Sequence, residues 1–328
     1  MQTYMRFLVC SVINLIMILS MVGCSINSES RSESELLQVE WSNREGDFTL
    51  LIAQEKGFFN KYGVNIKPIY YEQPSKALSD LGAGKINGGL LSLDDVIRLS
   101  RIIDLKAIAV YDSGGTSAVV AAPEINRVAD LKGKKVGVIP GTKDELFVRQ
   151  MLAEAGLTYR DVIFVNISPD QVPISIPKVI QAGFTSEHFI SESMEKGHKL
   201  LAATSYTSPT SLTPNLIVFN LTLVDKDPEK IRSFLNAWFE ALDYRRKEPV
   251  ECNQIIANFL GVGIEDIESG KAKLFDRNDN FSFFRDNPGE DISSIFYSTQ
   301  ITIDFLISTG VITQKPDINQ LLDSSYLH

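Results

Sequence analysis

The chain has 328 residues, 44% hydrophobic and 22% charged, an ordinary globular composition with enough apolar side chain for a substantial core. A formal net charge of −9 gives it no electrostatic footprint for nucleic acid or for an anionic lipid surface. Cysteines at 10, 24 and 252 and histidines at 188, 198 and 328 show neither a disulfide framework nor metal spacing. No Walker loop, dinucleotide fingerprint or Ser-His-Asp signature is present, so neither metal nor cofactor is expected.

Arg6 is followed by a nearly unbroken apolar run from Phe7 to Val22. The run is too short and too poorly flanked to span a bilayer and reads as a secretory leader over residues 1–23. Its end, Met21-Val22-Gly23-Cys24, resembles a bacterial lipobox, which makes Cys24 the candidate for lipidation and a membrane anchor. Residues 24–38, which after Cys24 run into the serine-rich, acidic stretch SINSESRSESE, read as a flexible tether.

Beyond the tether, short apolar runs alternate with amphipathic segments, the pattern of an α/β protein. FTLLIAQEKGFF predicts a helix ending at Gly57, with a strand near Val64 to Tyr71 after it. PSKALSDLGAGKI predicts a second helix, GGLL a short strand, and SLDDVIRLS a helix capped by Ser92 with Asp95 three residues on. LKAIAVYD and SAVVAA read as strands separated by SGGT. DLKGKKVGVIPGTKDELFVRQMLAEAGL predicts turn, strand, glycine turn and helix, with Thr142 and Glu145 as a capping-box pair. IPKVIQAG reads as a helix, FTS as a short strand, EHFISESMEKG as a helix and HKLLAAT as a strand. This repeats the helix, glycine, strand and polar helix start seen earlier and points to two halves of similar wiring. After the loop SYTSPTSLTPN, LIVFN returns as a strand.

Past Asp227 the pattern turns helical. Ile231, Phe234, Leu235, Trp238, Phe239 and Leu242 recur at helical spacing, which makes Trp238 a core residue. Helices near Glu251 to Leu260 and Ile292 to Thr309 flank the polar separator DRNDNFSFFRDNPGED, and PDINQLLDSSYL gives a last short helix. Cys252, the cysteine outside the leader and lipobox, reads as a small buried hydrophobe.

Six segments carry a wider likeness: GDFTLLIAQEKGFFNKYGV, LGAGKINGGLLSLDDVIRL, LKAIAVYDSGGTSAVVA, VADLKGKKVGVIPGT, GFTSEHFISESMEKG and FLNAWFEALDYRRKEP. In these segments and their order the chain resembles the substrate-binding proteins of ATP-binding-cassette importers in the nitrate, sulfonate, taurine and thiamine-precursor group. The resemblance implies a two-lobed periplasmic binding protein type II fold, with mixed sheets and a two-strand hinge. It assigns residues 39–117 and 216–328 to a discontinuous first lobe and 118–215 to the second. It further implies a monomer that binds a small-molecule solute between its lobes and delivers it to an ABC permease and its ATPase. The place implied is the extracytoplasmic side of a membrane, in a periplasm or at an outer cell surface.

Ligands of open α/β sheets lie beyond the carboxyl ends of the strands, which directs attention to four loops and one step of the second lobe. The candidate binding residues are Trp41, Asp47, Ser92, Asp94, Asp112, Ser113, Gly114, Thr116, Thr142 and Glu187. Trp41 either stacks on a ligand or packs in the first lobe's core. Ser92 caps its helix and offers a hydroxyl, and Gly114 and Gly115 free the DSGGT turn for a ligand or for the hinge. Thr142 heads a helix whose amides suit an anion, although its capping partner already satisfies some of them. Glu187 stands where the family commonly has a Glu-Pro pair; a carboxylate there favours a donor such as an amine, amidine or aminopyrimidine. His188 reads as a surface residue. Two further functions share the fold: a ligand-sensing module for a membrane signalling protein, and an enzyme like the thiamine-precursor synthases. The lack of a His or Cys constellation in the cleft loops speaks against the enzyme.

Overall fold

The structure is a computed structural model; it describes residues 36–113, 117–186, 189–203, 214–267, 272–285 and 293–328. The first sheet is built from β1 (Leu37–Trp41), β2 (Ile66–Tyr70), β3 (Gly88–Ser92), β4 (Leu105–Asp112) and β10 (Asn215–Asn220) in the order β2-β1-β3-β10-β4. β1 runs parallel to β2 and β3, and β10 enters antiparallel between β3 and β4. The second sheet comprises β5 (Ser117–Ala121), β6 (Lys135–Val138), β7 (Ile163–Asn166), β8 (Ala182–Ser186) and β9 (Lys199–Ala203) in the order β7-β6-β8-β5-β9. Here β6 is parallel to β7 and β8, and β5 is the antiparallel insert between β8 and β9. The two sheets are therefore wired alike. Each receives, as its antiparallel strand, the one that follows a crossing from the other sheet: β4 to β5 outward, β9 to β10 on return.

Local sequence explains the placement of the central strands. β3 and β8 are buried on both faces and read as continuous apolar runs with glycine, as strands covered by helices do. Gly88 lets β3 approach β10: a Cβ there would stand 2.5 Å from the Val218 carbonyl oxygen.

Helices cover the first sheet: α1 (Phe48–Glu55), α2 (Phe58–Lys61), α3 (Pro74–Gly82), α4 (Leu93–Leu99), α8 (Leu221–Lys226) and α9 (Pro228–Lys247). Gly57, at φ 72°, makes the left-handed step between α1 and α2 that a side chain would resist. α9 packs on α1 and α2. Its periodic face is buried as expected, with Trp238 edge-on to Tyr111 at 5.5 Å and stacked on Phe234 at 6.4 Å. Burying each such large apolar side chain stabilises by about 1.5–3 kcal/mol, so this face anchors the C-terminal region to the first sheet. α10 (Pro249–Leu260), α11 (Arg277–Phe283), α12 (Ile295–Ser308) and α13 (Ile318–Leu321) follow, α12 packing on α4. The helices of the second sheet are α5 (Lys143–Glu154), α6 (Val172–Ser175) and α7 (Phe189–Glu195). No described helix is long and apolar enough to cross a membrane.

Several elements depart from the sequence reading. IPKVIQAG is not a helix: α6 stops at Ser175, and Ile176, extended at ψ 135°, precedes Pro177 through a cis peptide bond. A proline offers no N–H to a helix and biases the residue before it to extended backbone, which outweighs the apolar spacing. The polar DRNDNFSFF segment forms α11 because Asp276 caps it, accepting from the Asp279 amide at 3.0 Å. α8 and β7 add two elements that periodicity does not signal, α8 starting on the Asn220 side chain, which accepts from the Leu223 amide. Ser92 does not cap α4 with its hydroxyl, which donates to the Asp95 carboxylate at 2.8 Å. The pair at Thr142 is shifted: its hydroxyl accepts from the Asp144 amide at 3.2 Å, while Glu145 accepts from Gly141 at 2.7 Å.

Candidate functional site

The loops after β1, β3, β4 and β6 lie at the carboxyl ends of strands in the two sheets. After β1 the chain turns through Ser42 to Gly46, and Asp47 becomes its anchor. The Asp47 carboxylate, wholly buried, accepts from the Ser42 amide at 2.8 Å, the Ser42 hydroxyl at 2.9 Å and Arg44 Nε and Nη2 at 3.1 Å. Tyr111 of β4 donates its hydroxyl to the same carboxylate at 2.5 Å. Burial raises the Tyr111 phenol well above its ordinary value, so it remains a donor. Arg44 also donates to the Leu90 carbonyl and stands 3.9 Å from Glu40. Burial opposes its charge, and Asp47, Tyr111 and Glu40 together more than answer it, holding Arg44 above the ordinary guanidinium range.

Glu40 lies beneath this turn, 2% exposed, accepting from the Leu90 amide at 2.9 Å. Burial pushes its carboxyl up to about 8, against the pull of Arg44. Gly89 makes the room: a Cβ there would stand 2.8 Å from Glu40 Oε2. Gly46 does the same for Asp112, whose Oδ2 would be 2.1 Å from an added Cβ. Asp112, 1% exposed, accepts from Asn215 Nδ2 at 2.7 Å. The Ser113 amide donates to the Lys273 carbonyl at 3.2 Å and closes the end of β4.

The two sheets are bridged where Arg98, in the last turn of α4, reaches the turn before α5. Arg98 Nη2 donates to Asp94 at 3.1 Å and to the Gly141 carbonyl, across from the first sheet, at 2.6 Å. Gly141 turns at φ 73°, and a Cβ there would stand 2.7 Å from Val311. Arg149 Nε donates to Glu145 at 2.7 Å, holding the carboxylate that accepts from the Gly141 amide. Burial raises the Asp95 carboxyl, with Asp94 adding to it. Burial likewise raises Asp144 to about 6; Lys143 opposes the shift and Asp94 reinforces it.

The structure thus gathers Asp47 and Asp112 around the β1 and β4 ends, and Ser92, Asp94 and Thr142 where α4 faces α5. Ser113 stands at the β4 end. Trp41 is buried, its ring 4.8 Å from Phe259, 5.2 Å from Tyr70 and 6.2 Å from Phe48. Gly114, Thr116, Glu187, His188 and Cys24 lie outside the described residues. Sequence reasoning missed Glu40, Asp95, Arg98, Asp144 and Asn215. For Asp95 and Asp144 the signal was there, since each sits in the first turn of a helix that follows a glycine-bearing segment; for Asn215 there was none. Among the described residues no group of three or more His, Cys, Asp or Glu side chains has metal-holding geometry.

Two similarly wired α/β sheets, with their strand-end loops facing one another through α4 and α5, define a binding-protein fold. The solved structure of the periplasmic aliphatic sulphonate binding protein SsuA from Escherichia coli shares that fold, with a TM-score of 0.69 at 18% identity over 87% of this chain and 91% of that one. The NMT1/THI5-like family model matches residues 47–252, and the chain belongs to that family. A Brucella abortus protein named as a binding protein is 28% identical over 66% of this chain and 69% of its own length. A Bacillus subtilis protein named for aliphatic sulfonates is 22% identical over 94% of this chain and 92% of its own. A Saccharomyces cerevisiae protein named 4-amino-5-hydroxymethyl-2-methylpyrimidine phosphate synthase is 23% identical over 65% and 67%.

Proposed function

We propose that the chain is the extracytoplasmic solute-binding component of an ATP-binding-cassette importer, taking a small organic solute between two lobes and presenting it to the permease. The observation that carries this reading is the Arg98 bridge from Asp94 to the Gly141 carbonyl, which joins the loop ends of the two sheets at the place where a solute would be enclosed. The two hinge strands pass near Ser117–Ala122 and Pro214–Phe219, and the lobes take the boundaries 39–117 with 216–328, and 118–215. Asp47, Asp94, Asp112, Ser92, Ser113 and Thr142 line the enclosed face or position what lines it, with Trp41, Gly114, Thr116 and Glu187 completing it. Residues 1–23 are a leader, and lipid on Cys24 keeps a monomeric receptor beside its permease; dual acylation is enough for stable anchoring.

The reading as a receptor without a chemical step has support in coverage. The relative named for sulfonates aligns over nearly the whole of both chains, whereas the relative named as a synthase aligns over about two thirds. The test is ATP hydrolysis by the cognate permease and ATPase in proteoliposomes, with this protein and a solute pool added. Stimulation that needs both upholds the receptor. No stimulation, together with conversion of a pyridoxal or pyrimidine compound, would establish the synthase reading. Cys24→Ala should move the protein from the membrane fraction to the soluble one; continued membrane association contradicts the anchor.

A further inference from the structure

Gly141 stands in the turn that leads into α5, and three elements hold it. Its carbonyl accepts from Arg98 Nη2 of α4 at 2.6 Å. Its amide donates to Glu145 at 2.7 Å, and Glu145 accepts in turn from Arg149 Nε at 2.7 Å. Its α-carbon faces the chain that follows α12: at φ 73° the turn calls for glycine, and a Cβ would come within 2.7 Å of Val311 Cγ2. Val311 is itself tied back toward α4, its carbonyl accepting from Arg101 Nη1 at 3.3 Å.

A second contact follows the same line. The Arg149 guanidinium, on α5, lies 4.1 Å from the centre of the Tyr159 ring and 5.4 Å from that of Phe305 on α12. α12 packs on α4, so both belong with the first sheet, whereas α5 belongs with the second. The two contacts therefore join the sheets at a place apart from the two hinge strands. Electrostatics agree with that apposition: Asp94 of α4 helps to raise the Asp144 carboxyl of α5, and Arg98 opposes the shift. Arg98 Nε is buried with no hydrogen-bond partner, so the hold on this side chain comes through Nη2, which serves Asp94 at 3.1 Å and the Gly141 carbonyl.

We propose, resting on the receptor reading above, that the Gly141 turn, Arg98 and Arg149 form a joint that sets the closed angle between the lobes, with the two arginines as positioning residues for solute capture. Hinge strands permit a rotation and do not by themselves fix where it stops. The joint supplies the stop: the Gly141 turn seats between Arg98 and Val311, and Arg149 rests on Phe305. α4 carries Arg98 and starts after Ser92, and the Gly141 turn runs into Thr142. The joint therefore governs the separation of the two loops that hold those candidate residues. A solute that needs both loops binds in proportion to the fraction of molecules in which they are closed.

The test is the distance between lobes, measured by double electron–electron resonance and needing no solute. Spin labels go on Gln54→Cys in α1 and Glu154→Cys at the end of α5, both exposed positions, in the full chain in detergent with Cys10→Ser and Cys24→Ser and the buried Cys252 retained. Arg98→Met removes the bonds to Asp94 and Gly141, and the ratio of closed to open molecules should fall about tenfold, read as a longer mean distance. Arg149→Met should lengthen it as well. Arg160→Met removes a cation that also lies over the Tyr159 ring, at 5.5 Å, without touching the joint, and should leave the distance unchanged. Gly141→Ala should lengthen it most; the arginine variants keep the test decisive if that one fails to fold. An unchanged distance in both Arg98→Met and Arg149→Met, with unfolding transitions that show them folded, overturns the joint and leaves the receptor reading intact. Lengthening in Arg160→Met equal to that in Arg98→Met also overturns it. Absent stimulation of the transporter's ATPase by the unaltered chain would instead bring down the receptor reading, whatever the distances.

Discussion

The two sheets share one wiring and carry different chemistry. In the first, the strand ends are bound into a buried polar network in which Asp47 collects five hydrogen bonds from Ser42, Arg44 and Tyr111, with Glu40 beneath it. The segment at 273–275 and the Asn280 side chain, which pairs with both backbone groups of Val110, finish the β4 edge. In the second, the loop after β6 is held by one shorter relay, Gly141 to Glu145 to Arg149, and the flanking strand β7 is half exposed. Topology sets where the loops meet. The residues on those loops decide how firmly each side is held.

If the first sheet is the rigid platform, removing its anchor should do the most damage. Asp47→Ala strips the partners of Ser42, Arg44 and Tyr111; because Arg44 keeps 30% side-chain exposure, the loss should be near the lower end for a broken buried ion pair, ~3 kcal/mol by chemical denaturation. Glu145→Ala, which breaks the relay of the second sheet, should cost clearly less, and an equal loss would erase the proposed contrast. The glycines give a second pair. Gly88→Ala puts a Cβ 2.5 Å from a backbone oxygen, which cannot step aside, and should destabilise by ~2–3 kcal/mol. Gly183→Ala meets both methyls of the stiff, buried Val172 at 2.9 Å; side-chain atoms give more readily than a backbone oxygen, so it should cost less than Gly88→Ala, ~1–2 kcal/mol.

The buried carboxyl predicts a pH slope. Glu40 has a folded value of about 8 against an ordinary 4.5, so the unfolded chain releases its proton first as pH rises. Its contribution to stability is complete below pH 4.5 and is lost on the way to pH 8, at up to ~1.4 kcal/mol per pH unit. Unfolding of Glu40→Gln across that window should show a shallower decline than the parent; identical slopes would mean that Glu40 titrates normally. The smallest effect belongs to the helix starts. Thr142→Ala removes a cap and should cost ~1 kcal/mol, while Ser92→Ala removes only the bond to Asp95 and should cost less.

Much of this fold was legible in the sequence. The period of α9 named its buried face residue by residue, and glycine followed by a polar residue marked the starts of α4 and α5, hence Ser92, Asp94 and Thr142. The rest depends on long-range pairing. Glu40 is one polar residue in LQVEW until β3, 50 residues on, lays the Leu90 amide against it. Asn215 acquires meaning only when β10 is inserted beside Asp112, 103 residues away. The helix expected over IPKVIQAG failed for a local reason, the proline at its second position.

If the facing loops of the two sheets enclose the solute, their amides should gain protection when it binds. Hydrogen exchange on the full chain, with and without the solute that most raises the unfolding midpoint, tests this most directly. Protection should concentrate at 92–95, 112–113 and 141–145. Protection confined to a different surface, such as the pocket lined by Ser100, Asp104, Asp317 and Gln320, would contradict it.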